Sequence, residues 1–400
     1  MTAIARCCLL QNRTCPEDPQ VFSLFQVRAM NPLFTQTQVG PYPVSHRVVM
    51  APLTRMRTEA QNVPGDLMVE YYAQRASSGG LLISDATSVS PLGFAYVGAP
   101  GIYTEEHARG WRRVTDAVHA KGGRIFLQLW HAGRQAHPAN IGGESPVAPS
   151  AVRAYEHSAI HNESGRVIEV EQVVPRALAL EEIAGVIEEF RHAATLAKQA
   201  GFDGVELHAA NGYLPDQFLQ DGANHRTDAY GGSLENRGRF LFEVIDAIAS
   251  VWDADQIAVR LSPGSSYGTM SESDPHATFG YVARRLDGYG LACLHVVEPR
   301  VRGNDDVAAA ASAVSAKNLR CVFKGTLIAA GGFTADSAHR IIEAGDADLV
   351  AFGRLFVSNP DLPERLRVGA PLNHYDRSTF YGGNARGYTD YSFHSAAPVL

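Results

Sequence analysis

Residues 206–237 read ELHAANGYLPDQFLQDGANHRTDAYGGSLENR, an apolar strand that runs into His208, Asn211 and Tyr213 and then into a long polar loop. The preceding segment sets this up. Between Glu181 and Ala200, Ile183, Ile187, Phe190, Ala194 and Ala197 recur at helical spacing, and Gly201 suits the position just past a helix end. A strand over 204–207 follows at once. Helix, strand and polar loop make one unit of an α/β barrel, in which the carboxyl ends of the strands face the pocket where catalytic groups collect. The reading therefore gathers His208, Asn211 and Tyr213 at one pocket.

Working outward, the same order recurs: a glycine-terminated helical pattern, an apolar run of strand length, then a polar or glycine-rich break. It is plain in SSGGLLISD (77–85), KGGRIFLQLW (121–130), AGFDGVELH (200–208), YGLACLHVVE (289–298) and AGDADLVAFGR (344–354). RVVMAPL (47–53), QIAVRLS (256–262) and TLIAAGG (326–332) bring the number of strand candidates to eight, separated by helix-length segments. Eight such units predict a single-domain α/β protein with a closed (β/α)8 TIM barrel over residues 30–400, with a doubly wound sheet as the lesser alternative. Two stretches fall outside the rhythm. Residues 1–29 precede a second methionine, Met30, and show no sustained period, so they are expected to be a flexible extension. Residues 153–175 alternate around a polar turn, HNESG followed by RVIEVEQVV, which predicts a hairpin lid inserted after strand three.

Composition narrows the function. The chain has 400 residues, 45% of them hydrophobic, with a formal net charge of −7 and no basic cluster, so no electrostatic footprint for nucleic acid is expected. A small molecule is the expected partner. Five cysteines at positions 7, 8, 15, 293 and 321 contain no C-x-x-C pair, which suggests neither an iron–sulfur cluster nor a structural zinc. No apolar run approaches the length of a membrane span, and the first twenty residues lack a proper apolar core for a signal peptide. The expected location is the cytoplasm.

Several groups of residues carry candidate chemistry. His208 and Asn211 are two neutral donors suited to a carbonyl oxygen that gains negative charge; a metal is the weaker reading, because no carboxylate completes a ligand triad. Gly331 and Gly332 follow strand seven, and Gly353 and Arg354 follow strand eight. In barrels these two loops often bind phosphate, since glycine lets backbone N–H groups approach the anion and a cation neutralises it. Gln128 and Arg260 are polar groups within barrel strands, open to two readings: an internal hydrogen-bonded layer, or recognition of a heterocycle whose reduced form is anionic. Thr54, after Pro52 and Leu53, is either an ordinary loop residue or a donor to a ring carbonyl. The tail YDRSTFYGGNARGYTDY (375–391) is either packing or one wall of an apolar pocket.

Together these segments resemble the Old Yellow Enzyme family of flavin-dependent ene reductases. The resemblance covers residues 30 to about 392 and rests on RVVMAPLTRMR, LQLWHAGR, HAANGYLPDQFLQDGANHRTDAYGGSLENR, FGYVARRL, LHVVEPR, LIAAGGFT, VAFGRLFVSNPDLPERL and TFYGG in that order. It implies non-covalent FMN at the carboxyl ends of the strands. Pro52, Leu53, Thr54, Ala86 and Gln128 would lie against the isoalloxazine, Arg260 near its pyrimidine edge, and Gly331, Gly332, Gly353 and Arg354 around the phosphate. His208 and Asn211 would grip the substrate oxygen, Tyr213 would donate the proton, and Trp130 and Tyr381 would shape the substrate pocket. The family pattern differs at His46, where many members have Asn, and at GSSYGTM after strand five.

The implied activity is NADPH- or NADH-dependent reduction of the activated C=C bond of enones and nitroalkenes, with hydride delivered from FMN N5 and a proton from Tyr213. Nitroesters are further candidate substrates, and the protein is expected to be a monomer or homodimer. The alternative from another class is a flavin-binding barrel serving as a sensor or store, with incidental turnover. Because residues 1–29 lie outside the eight-unit pattern, a chain beginning at Met30 is expected to fold, hold FMN and turn over like the full chain. Circular dichroism and flavin content of the shortened protein check this, and loss of folding would show that the extension packs on the barrel.

Overall fold

Each of the eight apolar runs forms one strand of a closed parallel barrel, in chain order and each paired with the next. The computed structural model describes residues 31–310 and 312–394; the expected extension at 1–29 lies outside the described residues. The strands are β1 (Val48–Met50), β2 (Leu81–Ser88), β3 (Arg124–Trp130), β4 (Gly204–Ala209), β5 (Ile257–Leu261), β6 (Cys293–Val297), β7 (Leu327–Ala330) and β8 (Leu349–Phe352). Closure comes from β8 pairing with β1 at Val350–Val48, Ala351–Val49 and Phe352–Met50. β1 stops early, shortly before Pro52, which has no N–H for a ladder. β2 instead runs past the predicted end at Asp85 to Ser88, with an irregular register between Ile83 and Ala86.

Three of the helices between strands begin where the sequence supplies a side-chain cap. Thr104 accepts from the His107 N–H ahead of α1 (Glu105–His119). Ser233 and Asp274 do the same for α2 (Leu234–Ala249) and α3 (Pro275–Asp287). The helix over Leu180–Gln199 buries Ile183, Phe190, Ala194 and Ala197, with Ile187 half-buried at the edge of the stripe. Gly201 follows it at φ 80°, the left-handed conformation that glycine adopts without a Cβ clash.

Among the described residues, two of the three antiparallel hairpins bear on the fold, the third being the short pair Val301–Arg302 and Asp305–Asp306. One, Thr37–Val39 with Tyr42–Val44, is absent from the sequence reading and plugs the amino end. There Val39 and Val44 pack with Val49, Phe126, Ile328 and Leu349, and the Tyr42 hydroxyl donates to the Asp203 carbonyl just before β4. The other pairs His157–His161 with Val167–Glu171 and lies after β3, as the alternation predicts. Its first strand docks on the loop after β2, where Val97 N–H donates to the Ala159 carbonyl and Asn140 Nδ2 bridges the carbonyls of Ala95 and Ala159.

The tail after β8 returns across the mouth and is tied down by buried arginines. Arg55 donates to the carbonyls of Phe380 (2.7 Å), Thr379 (3.3 Å) and Gly387 (2.8 Å). Arg57 reaches the carbonyls of Thr379 and Asn384, and Arg75 that of Tyr388. The Tyr388 ring stacks on Tyr71 at 4.0 Å, with both Arg55 and Arg57 near its face. Arg55→Ala is expected to destabilise the fold by about 2 to 4 kcal/mol, because buried tail carbonyls lose donors and their desolvation is left uncompensated. Urea unfolding measures the loss; a midpoint equal to wild type would mean that the tail is held elsewhere.

Candidate active site at the carboxyl mouth of the barrel

Register brings five polar side chains into adjoining positions inside an otherwise apolar barrel. Gln128 on β3 lies opposite Glu206 on β4, and Arg260 on β5 lies opposite both His208 on β4 and His295 on β6. Glu206 is fully buried; its Oε1 accepts from Gln128 Nε2 at 2.7 Å and its Oε2 from His295 Nδ1 at 2.7 Å. A carboxylate only accepts, so the Gln128 amide must turn its NH2 toward Glu206, which leaves its carbonyl oxygen for any neighbouring group. A hydrogen-bonded layer is therefore present around Gln128, though it runs through two residues that the sequence reading did not assign, Glu206 and His295, and the Arg260 Nε has no hydrogen-bond partner. The signal for Glu206 and His295 was a polar residue interrupting each of the apolar runs GVELH and CLHVV.

Arg260 lines the central cavity, and its Nε is buried without a hydrogen-bond partner. Burial lowers its pKa while the Glu206 charge works the other way. His208 is also buried, with Nδ1 unpartnered; burial, reinforced by Arg260 and His295, drives its pKa well below the usual imidazole value and keeps the ring neutral. Asn211 follows in a left-handed turn at φ 54°, a conformation that Asn tolerates better than most residues. Its N–H donates to Ser262 Oγ at 2.7 Å and its carbonyl accepts from Gln135 Nε2 at 2.8 Å, so the backbone is fixed where the residue lines the cavity. Gly212 N–H donates to buried Asp216, whose pKa burial pushes up to about 7. Tyr213 then packs edge-on to His208 at 4.8 Å between ring centres, and burial raises its phenol pKa far above the usual value.

The cavity has a volume of about 280 Å³, and Pro52, Leu53, Asn211, Arg260, Gly331, Gly332, Gly353 and Arg354 all line it. Gly331 and Gly332 have φ of 117° and 59°, and a Cβ on Gly331 would meet Val301 Cγ2 at 2.9 Å. This turn therefore keeps its bare backbone for steric reasons. Arg300, also unassigned from sequence, sits beside it: Nε donates to the Gly331 carbonyl at 2.7 Å, while Nη2 is buried without a partner. Arg354 is engaged through both terminal nitrogens with the Asp306 carboxylate, one contact measuring 3.0 Å, and donates to the Asn304 carbonyl. The paired Arg354 and neighbouring arginines hold Asp306 below the usual carboxylate range. An unpartnered Arg300 nitrogen, an unpartnered Arg260 nitrogen and a glycine cradle between them fit a planar heterocycle carrying a phosphate.

The remaining predicted residues lie around this cavity, not on its lining. Thr54 is half-buried beside Leu53, and buried Ala86 pairs in register with Gln128. Trp130 is 0% exposed and supports Tyr213 from behind, with ring centres 5.3 Å apart. Tyr381 is 52% exposed at the rim, and its hydroxyl meets Asn304 Nδ2. His46, one of the departures noted in the sequence, is far from this chemistry: it is buried against Ser77 with its pKa lowered to about 4 by burial.

Comparison with known proteins agrees with this geometry. Residues 32–373 match the model of the NADH:flavin oxidoreductase / NADH oxidase family. The chain is 43% identical to flavin oxidoreductase hxnT of Emericella nidulans over 91% of its length and 98% of the relative's. It is 44% identical to 12-oxophytodienoate reductase 2 of Arabidopsis thaliana, over 90% of this chain and 95% of that one. Among solved structures, morphinone reductase superposes with a TM-score of 0.86 at 48% identity, covering 90% of this chain and 96% of the other. An old yellow enzyme homologue from Zymomonas mobilis superposes at 0.85 with 39% identity, covering 90% and 99%. With a closed eight-stranded barrel, a polar mouth and these relatives, the chain belongs to the NADH:flavin oxidoreductase / NADH oxidase family and is an oxidoreductase of the Old Yellow Enzyme type.

Proposed function

We propose that the protein uses NADPH or NADH to reduce C=C bonds conjugated to a carbonyl or nitro group, with FMN seated at the barrel mouth. The observation that carries this reading is the juxtaposition of two neutral donors, His208 and Asn211, with the phenol of Tyr213 beside the cavity. FMN, when bound there, would supply the hydride-transfer chemistry between the nicotinamide and the alkene. Arg260 would stand at its pyrimidine edge with the Gln128 carbonyl oxygen, and Gly331, Gly332, Gly353, Arg354 and Arg300 around its phosphate. Pro52, Leu53, Thr54 and Ala86 would border the ring.

The chain's own residues do the rest. His208 and Asn211 polarise the substrate oxygen and stabilise the negative charge that collects there; donors preorganised in this way are worth about 3 to 4 kcal/mol each when removed. A neutral imidazole suits this role, because it gives a hydrogen bond without surrendering a full proton. Tyr213 then gives its proton to the α-carbon. Its raised pKa keeps the phenol protonated until an enolate carbon, which is more basic, takes the proton. Tyr381 and the Trp130-backed Tyr213 ring would bound the substrate space, with the hairpin over 157–171 as a lid.

Arg354→Ala is expected to weaken FMN retention by about 1.5 to 3 kcal/mol through loss of a charge-assisted contact. Equilibrium dialysis of the apoprotein reads this directly, and an unchanged dissociation constant would move the phosphate away from Arg354. Tyr213→Phe tests the chemistry. Reduction of 2-cyclohexenone should fall by a factor of about 10² to 10⁴, roughly 3 to 5 kcal/mol of barrier. Cofactor reduction by NADPH needs no such proton and should stay within a few-fold of wild type. Stopped-flow measurement of the two half-reactions decides the matter: equal slowing of both would make Tyr213 a structural residue, and slowing of neither would assign the proton to another donor.

A further inference from the structure

Tyr213 does not stand alone. Its hydroxyl lies 3.3 Å from that of Tyr96, which in turn lies 3.1 Å from that of Tyr267. Three phenols from three loops, those after β2, β4 and β5, thus form one hydrogen-bonded line. Tyr213 is 7% exposed at its inner end, whereas Tyr96 and Tyr267 are half-buried. The ring of Tyr213 is covered by His208 on one side and by Trp130 on another. We infer that Tyr96 and Tyr267 are the proton supply line of Tyr213, carrying a proton inward from water to restore the acid after each protonation of substrate.

This inference rests on the reading of Tyr213 as the acid. The steps balance without any electron changing hands. The Tyr213 O–H bond breaks as the substrate C–H bond forms. Tyr96 gives its proton to the Tyr213 oxygen, Tyr267 gives its proton to the Tyr96 oxygen, and a solvent water at half-buried Tyr267 replaces it, its hydroxide passing to bulk solvent. One proton enters for each proton delivered. Each hydroxyl serves as acceptor on one side and donor on the other, which a phenol does and no amide or ammonium can do with a single atom. A buried Tyr213 phenolate is strongly disfavoured, so a chain that refills it at once has a clear benefit.

The surroundings hold the line in place. Tyr96 stacks on Trp130 with ring centres 6.0 Å apart and 12° between planes. Its backbone bridges to Ala159 on the inserted hairpin. Tyr267 opens a tight turn whose Gly268 and Thr269 both have positive φ. The Gly268 carbonyl accepts from Arg134 Nη2 at 2.8 Å, and Thr269 Oγ1 accepts from the Tyr155 N–H at 3.0 Å. Arg302, ion-paired with Glu156, lies 5.8 Å from the Tyr267 ring centre. The segment leading into the hairpin therefore braces the outer phenol, and the hairpin itself braces the middle one.

The test uses the FMN-loaded protein and the single substitutions Tyr96→Phe and Tyr267→Phe, each of which deletes one hydroxyl and keeps the ring. Each should lower 2-cyclohexenone turnover about tenfold, a share of what a general acid contributes. In mixtures of H2O and D2O the wild-type rate should bow with deuterium fraction, as expected for several protons in flight, and become linear in either variant. In protein labelled with ¹³C at tyrosine Cζ, the Tyr213 resonance should shift in Tyr267→Phe although the two rings do not share a hydrogen bond. Enone turnover within twofold of wild type in both variants, or a linear wild-type response, would overturn the inference. So would an equal fall in the hydride step to a nitroalkene, which would make the two rings mere packing. Tyr213→Phe run alongside separates the failures: a large loss there with no loss in the other two removes the supply line alone, whereas no loss there removes the acid assignment itself.

Discussion

A single buried carboxylate organises the mouth of this barrel. Glu206 has no access to water, and an ionised group in that position is tolerable only if every lone pair is engaged or balanced. Gln128, His295 and the nearby charge of Arg260 meet that demand, and in doing so they lose their freedom to point elsewhere. The amide is forced to offer its oxygen, the imidazole is locked through Nδ1, and the guanidinium is left as the one cation in the layer. Because the four residues come from four consecutive strands, the ladder register that pairs the backbones also fixes this side-chain arrangement. A slip of one residue in any of these strands would turn its polar group outward into the helix layer.

Above that layer the chemistry is divided by charge. The end near Arg300 and Arg354 is cationic, whereas at the other end Asn211 is an uncharged amide and burial keeps His208 and Tyr213 neutral. An anion is therefore drawn to one end, and a polarisable but uncharged ligand is accommodated at the other. Asp306 complicates the cationic end. It already holds Arg354, so any phosphate arriving there must share that arginine or displace the carboxylate.

The parts of this arrangement that were legible in the sequence are those carried by short-range pattern. Eight apolar runs, each bounded by glycine or a polar break, mark eight strands. Alternation around HNESG marks a hairpin. His208, Asn211 and Tyr213 are visible because they interrupt a strand end, and Gly331, Gly332, Gly353 and Arg354 because they follow the last two strands. What could not be read depends on distant segments meeting. Tyr96 and Tyr267 are ordinary loop tyrosines until the folds after β2 and β5 converge on Tyr213. Arg300 shows its unpaired nitrogen only when the β7 turn closes beside it. The hairpin at 37–44 was missed because its strands are three residues each, too short for alternation to stand out.

The Arg55 clamp has a consequence for how the chain comes into being. Arg55 is synthesised early, just after β1, yet its acceptor on Phe380 lies 325 residues further on. β1 itself waits for β8 to close the cylinder. On a ribosome that releases the chain from its amino end, the first strand therefore has an open edge and Arg55 an uncommitted guanidinium until almost the whole polypeptide has emerged. Contacts this distant make for slow folding and a long-lived incomplete state. The first barrel strand is thus among the last to be secured, and a chain that ended between β8 and Phe380 would close its cylinder but leave Arg55 without its acceptors.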